Sequence, residues 1–311
     1  MTIITKDDFL PRSKSTNAKV VYSTSHTKYW RQVLTHIVHD RVAVASLIFI
    51  VVVSLLAIMD PEVGRHSYET TNVLALNLSP NFEHWFGTDS IGRDLWARVW
   101  VGARVSLVIG IAGAILPQLI GVIIGSISGY FGGWIDMVIM GIVDIGVCIP
   151  SLVYVTLISL WIGAGPIAVV IAISISSWMD SARVVRSRMM QFRSREFVLA
   201  AKIQGASSIH LIAKHIFPNI LGQIVVSVVS AIPTAIFIEA YLSFIGLGIA
   251  SPLTSLGQLC KTGVSIYRLY PYQLFIPGAV LSLTILAFYV FGNCLRDALD
   301  PHFRDQEIYH A

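Results

Sequence analysis

The sequence predicts an all-α integral membrane protein with six transmembrane helices and one polar helical loop at the membrane surface. Three observations carry that prediction. Hydrophobic residues make up 55% of the 311 positions and charged residues only 13%, with a mean hydropathy of +0.71, whereas soluble domains average about 25% charged. Six apolar runs approach or exceed the roughly 18 residues that cross a hydrocarbon core. They are continuously apolar, without the two-residue alternation of a membrane barrel strand.

Taken in order, residues 1–41 form a charged tail, and its first 28 residues read as irregular and polar. Trp30, Val33, Leu34, Ile37 and Val38 then recur at helical spacing beside Arg31 and Arg41, which predicts a surface-lying helix leading into the first span. That span, Val42 to Met59, carries no charge. It begins forty residues in, behind a charged tail, as suits an uncleaved anchor rather than a secretory signal. Asp89, Arg93 and Asp94 follow in a glycine-containing stretch and read as a charged, hydrogen-bonded turn. The second span is Val105 to Gly125. Gly121, Gly125 and Gly129 lie four apart on one stripe, where another backbone can approach closely. After the short loop Gly129 to Asp136 come Met137 to Trp161, which contains Asp144, and the short run Gly163 to Met179. Ile220 to Gly246 is interrupted by Pro233 and Glu239, and Leu274 to Leu295 contains Pro277. The permeating domain is thus read as residues 42–295, with residues 296–311 as a C-terminal tail.

Lys and Arg by loop set the orientation, because positive loops are retained in the cytoplasm. The N-terminal tail through Arg41 holds seven, residues 180–218 hold seven against two acidic residues, and the C-terminal tail contributes Arg296 and Arg304. The region between the first two spans holds four against six Asp and Glu. Both termini and the 180–218 segment are therefore expected in the cytoplasm of a cell membrane.

The segment from Glu196 to Asn219 is the most informative part of that loop. Glu196 to Gln204 reads as one helix, stopped by a left-handed cap at Gly205. Ser207 or Ser208 caps a second helix, whose apolar face is Ile209, Ile212, Ala213 and Ile216. Pro218 ends that helix or starts the next span. Such an amphipathic helical pair between two spans predicts a partner outside the bilayer.

Glu196, Ala200, Ala201, Gly205, Ile216 and Pro218 resemble the EAA motif of ABC importer permeases, although the Glu stands a few residues earlier than in the motif's shortest form. By that resemblance Glu196, Ala200, Ala201, Gly205, Ala206, Ser207, Ile209, Ile216 and Pro218 belong to a coupling helix that docks on an ATP-hydrolysing subunit. Longer stretches, His84 to Gly110, Gly129 to Val153, Glu239 to Gly248 and Gly292 to Arg304, are similar to the second permease subunit of oligopeptide and dipeptide importers. The resemblance covers nearly the whole chain after the tail. It implies a complex with a second permease subunit, two ATP-binding subunits carrying ATP and Mg, and an extracytoplasmic peptide-binding protein. Permeases for nickel and other chelates share the family. The chain itself has no G-x-x-x-x-G-K-[ST] phosphate loop, since no Gly is followed by Lys, so no cofactor and no catalytic residue is expected in it.

Asp144 and Glu239 lie within spans. A charge at mid-membrane costs about 2.5–3.5 kcal/mol on insertion scales, so such residues face protein or a wet cavity. They either line the peptide pathway or bind polar groups of neighbouring helices. The nine histidines are read as surface residues without a metal site, with His210 and His215 on different faces. Cys148, Cys260 and Cys294 show no metal spacing or pairing. Nothing points to nucleic acid. An ion-coupled secondary transporter needs coupling groups and often an inverted repeat, and an intramembrane hydrolase needs paired catalytic groups. Two isolated carboxylates favour neither.

Overall fold

The computed structural model describes residues 26–63 and 66–299. The helices are α1 (His26–His39), α2 (Arg41–Val63), α3 (Leu95–Phe131), α4 (Gly133–Val147), α5 (Ser151–Ile162), α6 (Pro166–Arg193), α7 (Glu196–Ile203), α8 (Ser208–His210), α9 (Phe217–Ile245), α10 (Leu256–Ile266) and α11 (Tyr272–Leu299). Among the described residues there is no strand, only a single bridge between Thr88 and Asp94. Among the described residues five helical rods are long and apolar enough to cross a membrane, and the pair α4 and α5 supplies a sixth if counted as one span.

The centre of the bundle is α3, whose 37 residues reach about 55 Å at 1.5 Å per residue. That exceeds the roughly 30 Å of a hydrocarbon core, so the helix projects from it. Asp94 starts it by accepting the Ala97 N–H at 2.9 Å. Gly132 stops it, with φ +66° and its N–H returned to the Ser128 carbonyl. The apolar run at 105–125 is only the middle of this helix.

The third expected span is corrected. Met137 to Trp161 is not one rod, because α4 and α5 meet at 85°. Pro150 has no N–H to continue the ladder and sits in an extended conformation at the start of α5. The Ile149 N–H turns back to the Gly146 carbonyl instead. The fourth is corrected as well, since α6 runs through to Arg193 and takes in residues assigned to a loop beginning at 180. Ala182, Val185 and Met189 are buried and continue its apolar stripe. Three of its arginines turn to α3 and α4: Arg186 binds Asp136 through two bonds of 2.5 Å, Arg183 binds Asp144 at 2.6 Å, and Arg193 donates to the Tyr130 carbonyl at 2.6 Å.

The surface helix exists but begins at His26, before the expected end of the irregular tail; residues 1–25 lie outside the described residues. Val33 and Ile37 are buried with Ala43, Val226, Cys294, Leu295 and Ala298, so α1 docks on α2, α9 and α11. Leu34 and Val38 remain exposed. Helix α11 continues to Leu299, past the expected boundary at 295. The same cluster gathers the start of α9 with α1 and the end of α11, so the α7 loop and both ends of the described chain share one end of the bundle.

Candidate functional site: a helical docking loop

Helix α7 closes with two bonds, Gly205 N–H to the Lys202 carbonyl at 3.0 Å and Ala206 N–H to the Ala201 carbonyl at 3.1 Å. This is a Schellman cap, and Gly205 carries its left-handed residue with φ +87°. Ser207 then caps α8, accepting the His210 N–H at 3.3 Å. The loop is thus the short helix α7 joined by a hydrogen-bonded elbow to the start of a second helix, as its glycine and serine predict.

Helix α8 does not end at Pro218. It passes through a π-helical turn, Leu211–Ile216, into α9, forming one rod from Ser208 to Ile245. The Phe217 N–H bonds to the Ile212 carbonyl, five residues back. The wider turn admits Pro218, which has no N–H to give, near the start of the next helix. It also shifts the facing residues. Leu211, Ile216 and Ile220 are buried together, while Ile209 is 80% exposed. The expected face of Ile209, Ile212, Ala213 and Ile216 is therefore corrected. The same turn brings the His210 and His215 rings to 5.7 Å between centroids, against their expected separation.

The motif residues divide into two sets. Ala201, Ala206 and Ile216 turn inward, packed with Val198, Leu211 and Ile220 against α3 and α6. Ile216 is fully buried, and Ala201 and Ala206 are half-buried. Glu196, Ala200, Gly205, Ser207, Ile209 and Pro218 are exposed. Residues that the motif did not single out join them: Phe197, Leu199 and, above all, Ile203, 87% exposed. Ile203 and Ile209 stand on either side of the elbow, an exposed apolar pair at the tip of a rigid loop.

The described architecture has its counterpart among known proteins. Residues 121–305 match the family described as the binding-protein-dependent transport system inner membrane component. The chain belongs to this family of membrane permeases. Residues 28–80 of the permease match the N-terminal TM domain of oligopeptide transport permease C. The permease is 41% identical over 304 residues to the oligopeptide transport system permease protein OppC of Bacillus subtilis (strain 168), covering 98% of this chain and all of that one. It is 39% identical to the dipeptide transport system permease protein DppC of the same organism over 85% of this chain and 83% of that one. To OppC of Escherichia coli (strain K12) it is 38% identical, over 88% and 92%.

Asp144 and Glu239, the two carboxylates expected within spans, both have partners. Asp144 forms its ion pair with Arg183 in an exposed position. Glu239 is fully buried, accepting from Ser106 of α3 at 2.6 Å and from Ser243 at 2.8 Å. The same hydroxyls accept the N–H groups of Leu256 and Ile249, so Glu239 ties α3, α9 and the start of α10 together. In this conformation its side chain is fully buried among these groups. Glu239→Ala leaves two buried hydroxyls without an acceptor and is expected to cost about 1–3 kcal/mol. Glu239→Gln, which keeps one carbonyl acceptor, is expected to cost less. Denaturant unfolding of the purified chain measures both.

The end of the permease opposite the α7 loop carries a polar cluster. Asp89 accepts from Arg93 at 2.8 Å and from the buried Arg98. Burial works against the charged carboxylate, but the Arg93 N–H and the Arg98 charge outweigh it and hold Asp89 below the ordinary value of 3.8. Gln273 at the start of α11 donates to Asn77 and to the Thr88 carbonyl, pinning this loop to the bundle. Asp89, Arg93 and Asp94 thus make the structural turn expected of them. His84, read as a surface residue, is buried, and it meets His66 at Asp94. Their separation in sequence hid this.

Proposed function

We propose that this chain is one of two permease halves of an importer that carries oligopeptides or dipeptides into the cell. In this reading a second permease subunit completes the pathway, an extracytoplasmic binding protein delivers peptide, and two partner subunits bind ATP and Mg and hydrolyse the ATP. Both termini and the α7 loop lie on the cytoplasmic side, in keeping with the seven basic residues of segment 180–218. The peptide substrate is supported by the names of the relatives.

The observation that carries the coupling role is the exposed pair Ile203 and Ile209 across the Gly205 elbow. Apolar side chains at the tip of a rigid, hydrogen-bonded loop suit a cleft in a partner. Behind the tip, Val198, Leu211 and Ile216 pack on α3 and α6, and the rod runs without interruption to Ile245. Closure of the ATP-binding subunits would press on the elbow and pass through these contacts as rigid-body rocking of the permease halves.

Reconstituted with its partners, the Ala200→Arg variant is expected to remain in the membrane while ATP hydrolysis no longer supports peptide uptake. Ala200 is exposed, whereas Ala201 packs inward, so a large charge at 200 obstructs docking without disturbing the cluster beneath. Gly205→Pro, which cannot adopt φ +87°, is expected to have the same effect. Uptake per ATP equal to wild type in both variants would defeat the docking role.

A further inference from the structure

We propose that His66, His84 and Asp94 form a binding site for one divalent transition-metal ion at the end of the bundle opposite the α7 loop. One ligand atom from each of the three residues lies within 4.8 Å of the other two. The Asp94 Oδ2 atom is 2.7 Å from His84 Nδ1 and 3.9 Å from His66 Nδ1. A tetrahedral ion with bonds of roughly 2.0–2.1 Å separates its ligands by about 3.3 Å, a value that the two distances bracket. Adjustments well under 1 Å at these two edges admit an ion. The imidazole rings already stand 4.7 Å apart, tilted by 40°.

Two of the three ligands are held in advance of binding. The other oxygen of Asp94 accepts the Ala97 N–H at 2.9 Å, which fixes the carboxylate and leaves Oδ2 for the ion. The backbone of His84 is fastened on both sides: its N–H reaches Asn81 Oδ1 at 2.8 Å, and its carbonyl accepts from Asn81 and Gly87. Both side chains are buried, while that of His66 is 34% exposed and gives the ion a way in. The neighbouring Asp89 is committed to Arg93 and Arg98, so water completes the four ligands. Two imidazoles and one carboxylate favour Zn²⁺, Co²⁺ or Ni²⁺ and disfavour Mg²⁺ and Ca²⁺, which prefer oxygen. The ion would take the place of the hydrogen bond between His84 and Asp94. Its effect is mechanical: it fastens the segment after α2 to the first residue before α3, closing the loop between residues 66 and 94.

The test uses the full, tag-free chain in lipid nanodiscs, loaded with Co²⁺ and passed through metal-free buffer. Wild type is expected to retain one equivalent, with the visible absorption of a four-coordinate cobalt centre displaced by Zn²⁺. His66→Ala, a substitution at a partly exposed side chain, is expected to weaken retention by at least about tenfold, and His215→Ala to leave it unchanged. Zn²⁺ is also expected to raise the unfolding temperature of wild type but not of His66→Ala, because an ion bound only to the native state stabilises it. No retained metal in wild type, or equal retention in His66→Ala, overturns the proposal and leaves His84 and Asp94 as a hydrogen bond alone. Peptide uptake is not a readout, so failure here leaves the transport role untouched.

Discussion

Replacing Asp89 by Asn is expected to destabilise the permease by about 3–5 kcal/mol, the cost of leaving a buried charge without its partner. The Arg98 side chain is 4% exposed and its charge is balanced by Asp89. Its other contact is a long one, 3.5 Å to Thr254 Oγ1, and its Nε meets no acceptor. Asparagine keeps the shape of Asp89 and its backbone contacts but not the charge, so the guanidinium has little in reach to replace it. Denaturant unfolding of the chain in mixed micelles measures the loss. The double variant Asp89→Leu, Arg98→Met, which removes both charges, is expected to lose less than the sum of its single changes. A loss below about 1 kcal/mol in Asp89→Asn would mean that Arg98 finds another counter-charge or water. The same pair sets acid sensitivity. Since Asp89 titrates below 3.8 in the folded chain, its contribution is present above that pH and fades as pH falls through its folded value.

Gly125→Leu is expected to prevent α3 and α6 from packing, and Gly125→Ala to cost about 1–3 kcal/mol by overpacking. A Cβ at Gly125 would lie 2.4 Å from the Ala182 carbonyl oxygen, and one at Gly129 2.6 Å from that of Arg186. These are backbone atoms of α6, so relief requires the whole helix to retreat. Retreat would also pull Arg186 from Asp136 and Arg183 from Asp144. Gly141 is the control. It lies in α4 with nothing of this chain within 4 Å of an added Cβ, and Ala there is expected to be neutral or to stabilise the isolated chain by about 0.5–1 kcal/mol. Comparing the unfolding of the three variants settles the matter: if Gly125→Ala behaves like Gly141→Ala, the stripe is not a packing surface.

Much of this was legible in the chain. The apolar runs marked the five long rods, the four-residue glycine spacing marked the α3 face that meets α6, and Gly205 with Ser207 marked the elbow of the docking loop. Misreadings cluster where backbone geometry departs from the regular helix. Pro150 folds a long apolar run into two helices, and the π turn before Pro218 rotates Ile209 outward and draws His210 to His215. Neither a bend angle nor a π turn leaves a mark in apolar spacings of three and four residues. Segment 180–193 reads as a loop because its arginines resemble loop charges, whereas Arg183 and Arg186 reach sideways to Asp144 and Asp136 from a helix whose opposite stripe is buried.

The sequence by itself determined the class, the family resemblance and the location of the docking loop, because hydropathy, helix caps and motif order are local properties of neighbouring residues. Only the tertiary structure decided which motif residues face outward, that Glu239 is sealed among serines, and that His66, His84 and Asp94 converge. Those facts depend on the packing of segments distant in the chain, and no local pattern encodes the distance between them.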